Sequence, residues 1–310
     1  MKQNIFSSGI LLALLGYAAF SISDACSKGL AGHLDPFEVA FSGGIFGFIL
    51  LPFIRRPDEP YSDIFATTRP GMWILRAVST FVSTAASVMA FMLLPMPEAL
   101  SLMFLMPFFV TIISVTILKE KVSFWTWLSV AVGFLGVLIV LRPGARTFHL
   151  GHVCAIVAAL ANASSVVAYR LAGDGSARLS LFGSSLFGPL IGDGILMIAH
   201  ASWPHGLRIW AILFGYGFLA ALGQLFMMMA TAVAPANRVA LPQYSQMVWA
   251  VAFSYLLFNQ PLDNWTFVGI VIVTLSGMLN WIRQKLRFER MALEEHWEHR
   301  HHRQADAAKP

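Results

Sequence analysis

The chain has 310 residues, of which 57% are hydrophobic and 12% charged, and its mean hydropathy is +0.68. So little charge cannot cover a soluble domain of this length. The formal charge of +5 does not point to nucleic acid, because the basic residues sit between apolar runs, where they orient a membrane chain.

A bilayer core about 30 Å thick is crossed by roughly 20 residues of apolar helix. Ten such segments are predicted, at 5–27, 36–54, 71–94, 97–118, 124–141, 150–168, 179–199, 207–231, 237–258 and 265–282. The first is read as an uncleaved span rather than a signal peptide. It carries Tyr17, Ser21, Asp24 and Lys28 on one face. Asp24 and Lys28 are four apart and positioned to pair, and both are candidates for coupling or gating. Asp35-Pro36 opens the second span, and Gly43-x-x-x-Gly47 within it suits close helix contact.

The third span holds Arg76, with Thr80, Ser83 and Ser87 on the same face. A charge in hydrocarbon costs roughly 2.5–3.5 kcal/mol on insertion scales, so Arg76 needs a reason. It either holds a carboxylate or phosphate in a cavity, or snorkels to headgroups while the hydroxyls bond their own backbone. Pro95-Met96-Pro97 turns the chain, and Glu98 then either gates or starts a solvated helix. Gly133-x-x-Gly136 marks the fifth span. His149 and His152 at the entrance of the sixth are expected to be interfacial rather than metal ligands.

Asn162, Ser165 and Tyr169 form a stripe on the sixth span. The seventh carries Gly188-x-x-x-Gly192 and then Asp193 between two glycines, read as a proton site or a helix break. The eighth offers Gln224, and the ninth Gln243, Gln246 and Trp249 after Pro242. Amides donate and accept, and an indole stacks on a planar ring. Arg238 is a further gating candidate. The tail, 283–310, is charged and contains His296, His299, His301 and His302. Cys26 and Cys154 make no CxxC, so no metal or cofactor is expected.

The chain repeats itself. Trp125 and Trp265 lie 140 residues apart, as do Glu120 and Gln260, Val122 and Leu262, and Glu98 and Arg238. Five spans per copy is odd, so the second copy enters the membrane from the opposite side. Inverted repeats of this kind serve alternating access, with the substrate site at their interface.

Pro97-Glu98-Ala99-Leu100, Met106-Pro107-Phe108 and Lys119-Glu120-Lys121-Val122, followed by Trp125 and Gly133-x-x-Gly136, resemble the signature half of the EamA domain of the drug/metabolite transporter superfamily. The resemblance implies an all-α integral membrane protein of ten transmembrane helices. These would form two inverted EamA-like five-helix repeats, 5–141 and 150–282, ahead of the cytoplasmic tail. Ser23-Asp24-Ala25-x-x-Lys28 resembles members that handle riboflavin or S-adenosylmethionine. Such members often carry an arginine in the second span, where this chain reads Val39-Ala40-Phe41-Ser42-Gly43-Gly44.

No GxxxxGK[ST] loop, HExxH or Gly-x-Ser-x-Gly is present, so neither ATP-driven transport nor an enzyme is expected. The expectation is a secondary transporter of a small organic metabolite in a bacterial inner membrane. Its solute would be amino-acid-like, S-adenosylmethionine-like or riboflavin-like. The alternative is a membrane enzyme or structural subunit. The partners are a metabolite and the bilayer, without nucleic acid, and a homodimer is compatible with the chain. The expected cavity is lined by Tyr17, Arg76, Ser83, Asn162, Gln224, Gln243, Gln246 and Trp249, with Ser185 and Ser202 outside it.

Basic residues set the orientation. Lys2, Arg55, Arg56, Arg69, Lys119, Lys121, Arg170, Arg178 and Arg238 fall on one side, against Lys28, Arg142, Arg146 and Arg208 on the other. Both termini are therefore expected in the cytoplasm. In a cysteine-free background, single cysteines at Ser62 and Lys309 should resist an impermeant thiol reagent in intact cells. One at His205 should label, and labelling of the tail from outside overturns the topology.

Overall fold

The computed structural model describes residues 2–55, 59–119, 122–142, 148–172, 178–198, 204–233 and 241–278, and the statements below concern these. Every regular element among them is helical. The helices are α1 (Lys2–Gly29), α2 (Pro36–Gly47), α3 (Leu51–Ile54), α4 (Pro70–Leu93), α5 (Met96–Met103), α6 (Met106–Thr116), α7 (Phe124–Leu141), α8 (Leu150–Ala172), α9 (Arg178–Met197), α10 (Leu207–Val233), α11 (Ser245–Phe258) and α12 (Asn264–Met278). Eight segments are long and apolar enough to cross a bilayer. They are expected spans one to eight. Expected spans nine and ten appear as the shorter α11 and α12, with residues 234–240 and 279–282 outside the described part.

Local chemistry sets the ends. Asp35 caps α2 by accepting from the Phe37 amide at 2.9 Å, with Pro36 in the first turn where its missing N–H costs nothing. Ser123 caps α7. The expected fourth span is broken into α5 and α6 at Phe104–Leu105. Pro107 explains the break: its ring excludes the carbonyl four residues back and offers no N–H. By contrast, α9 runs unbroken through Gly192-Asp193-Gly194, so of the two readings of that segment the helix break is not realised.

The packing is that of a membrane bundle. On α8 the fully buried positions include Ala155, Ala158, Ala159, Ala163 and Ala168, whereas Val153, Val157 and Leu160 point outward. Small residues let backbones approach, and large apolar ones meet lipid. α1 lies along α10, α4 along α8 and α9, and α2 against α9 and α10. The expected glycine contacts are present. Gly188 abuts the Ala77 carbonyl and Gly192 the Phe81 ring, so α9 and α4 run side by side with matched register.

A Cβ at Gly188 would overlap the Ala77 carbonyl oxygen, a backbone atom that cannot rotate away. Gly188→Ala should therefore cost about 1–3 kcal/mol, seen as a lower melting temperature in detergent. Gly71→Ala, where no atom lies within 4 Å of the added carbon, should not lower it.

Candidate functional site

A cavity of about 330 Å³ lies among α1, α2, α4, α8, α9 and α10. From α1 it takes Phe20, Ser23, Asp24 and Ser27, one helix face at i, i+3, i+4 and i+7. Asp24 therefore belongs to two possible stripes, and this one, not that of Tyr17 and Ser21, faces the cavity. From α4 come Thr80, Ser83, Thr84 and Ser87. Thr80 and Thr84 hydroxyls donate to carbonyls of their own helix, those of Arg76 and Thr80, while Ser83 reaches the Ala158 carbonyl on α8 at 3.5 Å. Asn162, Tyr216 and Gln224 add polar groups, and Phe182 and Phe91 add rings. Among the described lining residues Asp24 is the one charged group.

Of the eight expected substrate-binding residues, Ser83, Asn162 and Gln224 reach this wall. Arg76 is half-buried on α4 and lies off it. Tyr17 packs on Phe20, ring centroids 6.2 Å apart. Gln243 and Gln246 are half-buried, and Trp249 is 40% exposed and stacked on Phe253. Gln243 sits in a 3-10 turn at Leu241–Tyr244 and only Gln246 and Trp249 lie on α11, where a step of three drifts about 60°, so the three do not form one face and Trp249 points outward. Ser185, expected outside, lines the cavity. One turn on, Pro189 also lines it and leaves the Ser185 carbonyl without its usual intrahelical amide. Sequence reasoning missed Tyr216 as well, although Gly215-Tyr216-Gly217 on an apolar helix was a visible signal. Gly43 makes room for it: a Cβ there would lie 2.8 Å from the Tyr216 ring. Ser202, Arg238 and the histidine-rich tail lie outside the described residues.

Around the ends of α1 and α4 the gating candidates are differently placed than expected. Lys28 does not pair with Asp24. Its ammonium donates to the carbonyls of Phe91 at 3.1 Å and Leu94 at 2.6 Å, closing the C-terminus of α4, and lies 5.6 Å from the Phe258 ring centroid. A helix C-terminus carries partial negative charge and unpaired carbonyls, so it competes well for a cation. Glu98 is not a solvated helix start, and His152 is buried beside it. Glu98 is 5% and His152 3% exposed, and His152 Nε2 lies 3.0 Å from Glu98 Oε1. That contact ties α5 to α8.

Because Lys28 and Asp24 share no partner, their substitutions should act independently. Lys28→Gln should lower the detergent melting temperature, and with Asp24→Asn the two effects should add within about 0.5 kcal/mol. A large coupling between them would restore the ion pair.

The EamA-like transporter family model matches residues 7–142 and again 149–282. The S-adenosylmethionine uptake transporter of Rickettsia prowazekii (strain Madrid E) is 28% identical over 272 residues, which cover 86% of this chain and 90% of that protein. The pseudopaline exporter CntI of Pseudomonas aeruginosa (strain UCBPP-PA14) is 25% identical, over 89% of this chain and 96% of its own. The riboflavin transporter of Vibrio cholerae serotype O1 is 30% identical over 63% of this chain and 66% of its own. A solved crystal structure superposes with a TM-score of 0.60 at 16% identity, over 88% of this chain and 96% of that one, and shows likeness of fold alone. With both halves matched, the chain belongs to the EamA-like transporter family.

Proposed function

We propose that this member carries a small organic cation or zwitterion by alternating access, with Asp24 as the group that holds the positive charge. The observation that supports this is the wall of the cavity: one carboxylate, a set of hydroxyls and amides, aromatic rings, and no basic side chain among its described residues. That composition argues against the anion site expected at Arg76. Its volume of about 330 Å³ sits at the small end of metabolite pockets. The relative that handles S-adenosylmethionine supports the same chemistry, since that molecule has a sulfonium, an ammonium and a planar base.

In this reading the ammonium or sulfonium meets Asp24. Asn162 and Gln224 meet heteroatom edges, and the ring of Phe20 or Phe182 lies along the apolar part. The chain is read as ten spans in two inverted repeats, 5–141 and 150–282, in a bacterial inner membrane with both termini cytoplasmic. Two consecutive family matches and the 140-residue spacing support the duplication. Its odd number of spans per copy supports the inversion. Exchange between the two open states would break and remake the contacts of Lys28 and Glu98. The reaction is movement rather than covalent change.

Asp24→Asn should weaken the apparent affinity for a cationic solute by about tenfold or more, because a hydrogen bond to a charged group is worth about 1.5–3 kcal/mol. Ser185→Leu should impair transport more than Trp249→Leu at equal abundance. Uptake into proteoliposomes of S-adenosylmethionine and riboflavin, one charged and one neutral, checks both. Equal loss for the two solutes in Asp24→Asn overturns the assignment.

A further inference from the structure

We propose that Asp193 is a proton-binding site, distinct from the solute cavity and one turn of α9 beyond it. Asp193 is fully buried in α9, and neither of its carboxylate oxygens has a hydrogen-bond partner. The glycines on either side of it are closely packed. Gly192 lies against the Phe81 ring of α4, and a Cβ on Gly194 would stand 3.0 Å from the Phe41 ring of α2. A carboxylate in that place has lost water and gained no donor, whereas a neutral acid keeps its proton at little cost. An aspartate that served only packing would be replaced there by an apolar residue without loss.

The surrounding charges do not supply a counter-ion. The titratable groups on the elements packed against α9 are Glu38 on α2, Arg76 on α4, and Tyr61 and Asp63 in the turn at Tyr61–Phe65. With Gly188 beside Ala77 and Gly192 beside Phe81, Arg76 lies more than a turn of α4 away from the level of Asp193. Glu38 lies nearly a turn of α2 beyond Phe41 in the opposite direction, and as an acid it would not neutralise Asp193.

The cavity is one turn away along the same helix. Asp193 lies four residues beyond Pro189 on α9, and Pro189 lines the cavity together with Asp24 and Tyr216. When the packing of Phe41 and Phe81 on α9 opens, the acid exchanges its proton with the cavity, and solute movement becomes sensitive to the pH difference across the membrane.

The proposal uses the carrier reading only for that last step, and the test separates the two. Infrared spectra of the full-length protein in lipid nanodiscs at neutral pH should show a protonated carboxylic-acid band that is lost in Asp193→Asn and in Asp193→Ala and kept in Asp24→Asn. In proteoliposomes, S-adenosylmethionine movement should change when a pH gradient is imposed. The ratio of rates with and without the gradient should fall to one in Asp193→Asn. If wild type and both Asp193 variants give the same carboxylic-acid band, or the variant keeps the gradient response, the proposal is overturned. If the band behaves as stated but no solute of a metabolite panel moves in wild type, the carrier reading fails and the proton site stands.

Discussion

A bilayer offers the backbone no hydrogen-bond partner, and the structure of this chain follows from that constraint. Each helix satisfies itself except at its ends and at its prolines. Those exceptions are where side chains do specific work. Lys28 donates to two carbonyls at the end of α4, and Arg69 donates to the Leu171 carbonyl in the last turn of α8. Cations that read in the sequence as counter-ions or topology signals are thus also caps. The break between α5 and α6 at Pro107, and the free Ser185 carbonyl ahead of Pro189, are further points where the ladder is interrupted beside other protein groups rather than lipid.

The same constraint shapes the cavity. Hydroxyls can sit in hydrocarbon because they return their hydrogen to their own helix, as Thr80 and Thr84 do, and still present an oxygen to a ligand. A wall built of such groups is polar enough to wet a solute and cheap enough to bury. Asp24 adds a formal charge. The helices that supply the wall come from both matched halves, α1, α2 and α4 from the first and α8, α9 and α10 from the second. Relative motion of the halves would therefore reshape the site. The buried contact between Glu98 and His152 also crosses from one half to the other.

Close helix approach through small residues holds this arrangement in register. Gly188 and Gly192 place α9 on α4, and Gly43 leaves room for the Tyr216 ring. Without them these helices would stand farther apart. The glycines on either side of Asp193, Gly192 and Gly194, pack against the rings of Phe81 and Phe41, so the burial of that carboxyl follows from a glycine one residue away on each side.

The fold class and eight of the spans were legible from sequence because hydrocarbon thickness imposes a length on apolar runs, and that length survives without any tertiary information. The family was legible from Met106-Pro107-Phe108 and the stretch around it, since those residues mark a local break in a helix. The glycine contacts were legible as spacing. The rotation of each helix was not. Asp24 lies on two plausible stripes of α1, and only packing against α4 and α10 decided that Ser23 and Ser27, rather than Tyr17 and Ser21, share its cavity. Thr80, Ser83 and Ser87 of the Arg76 stripe face the cavity while Arg76 itself lies off it, and Trp249 turns away, because in lipid a polar or aromatic end need not face inward if it reaches the interface or the surface. Lys28 was placed correctly beside Asp24 and paired wrongly, because its actual partners are backbone carbonyls of another helix, which carry no sequence signature. Sequence by itself determined how long the helices are and which residues they carry; the tertiary structure decided which way each one turns, since in a membrane that depends on neighbours rather than on the contrast between water and core.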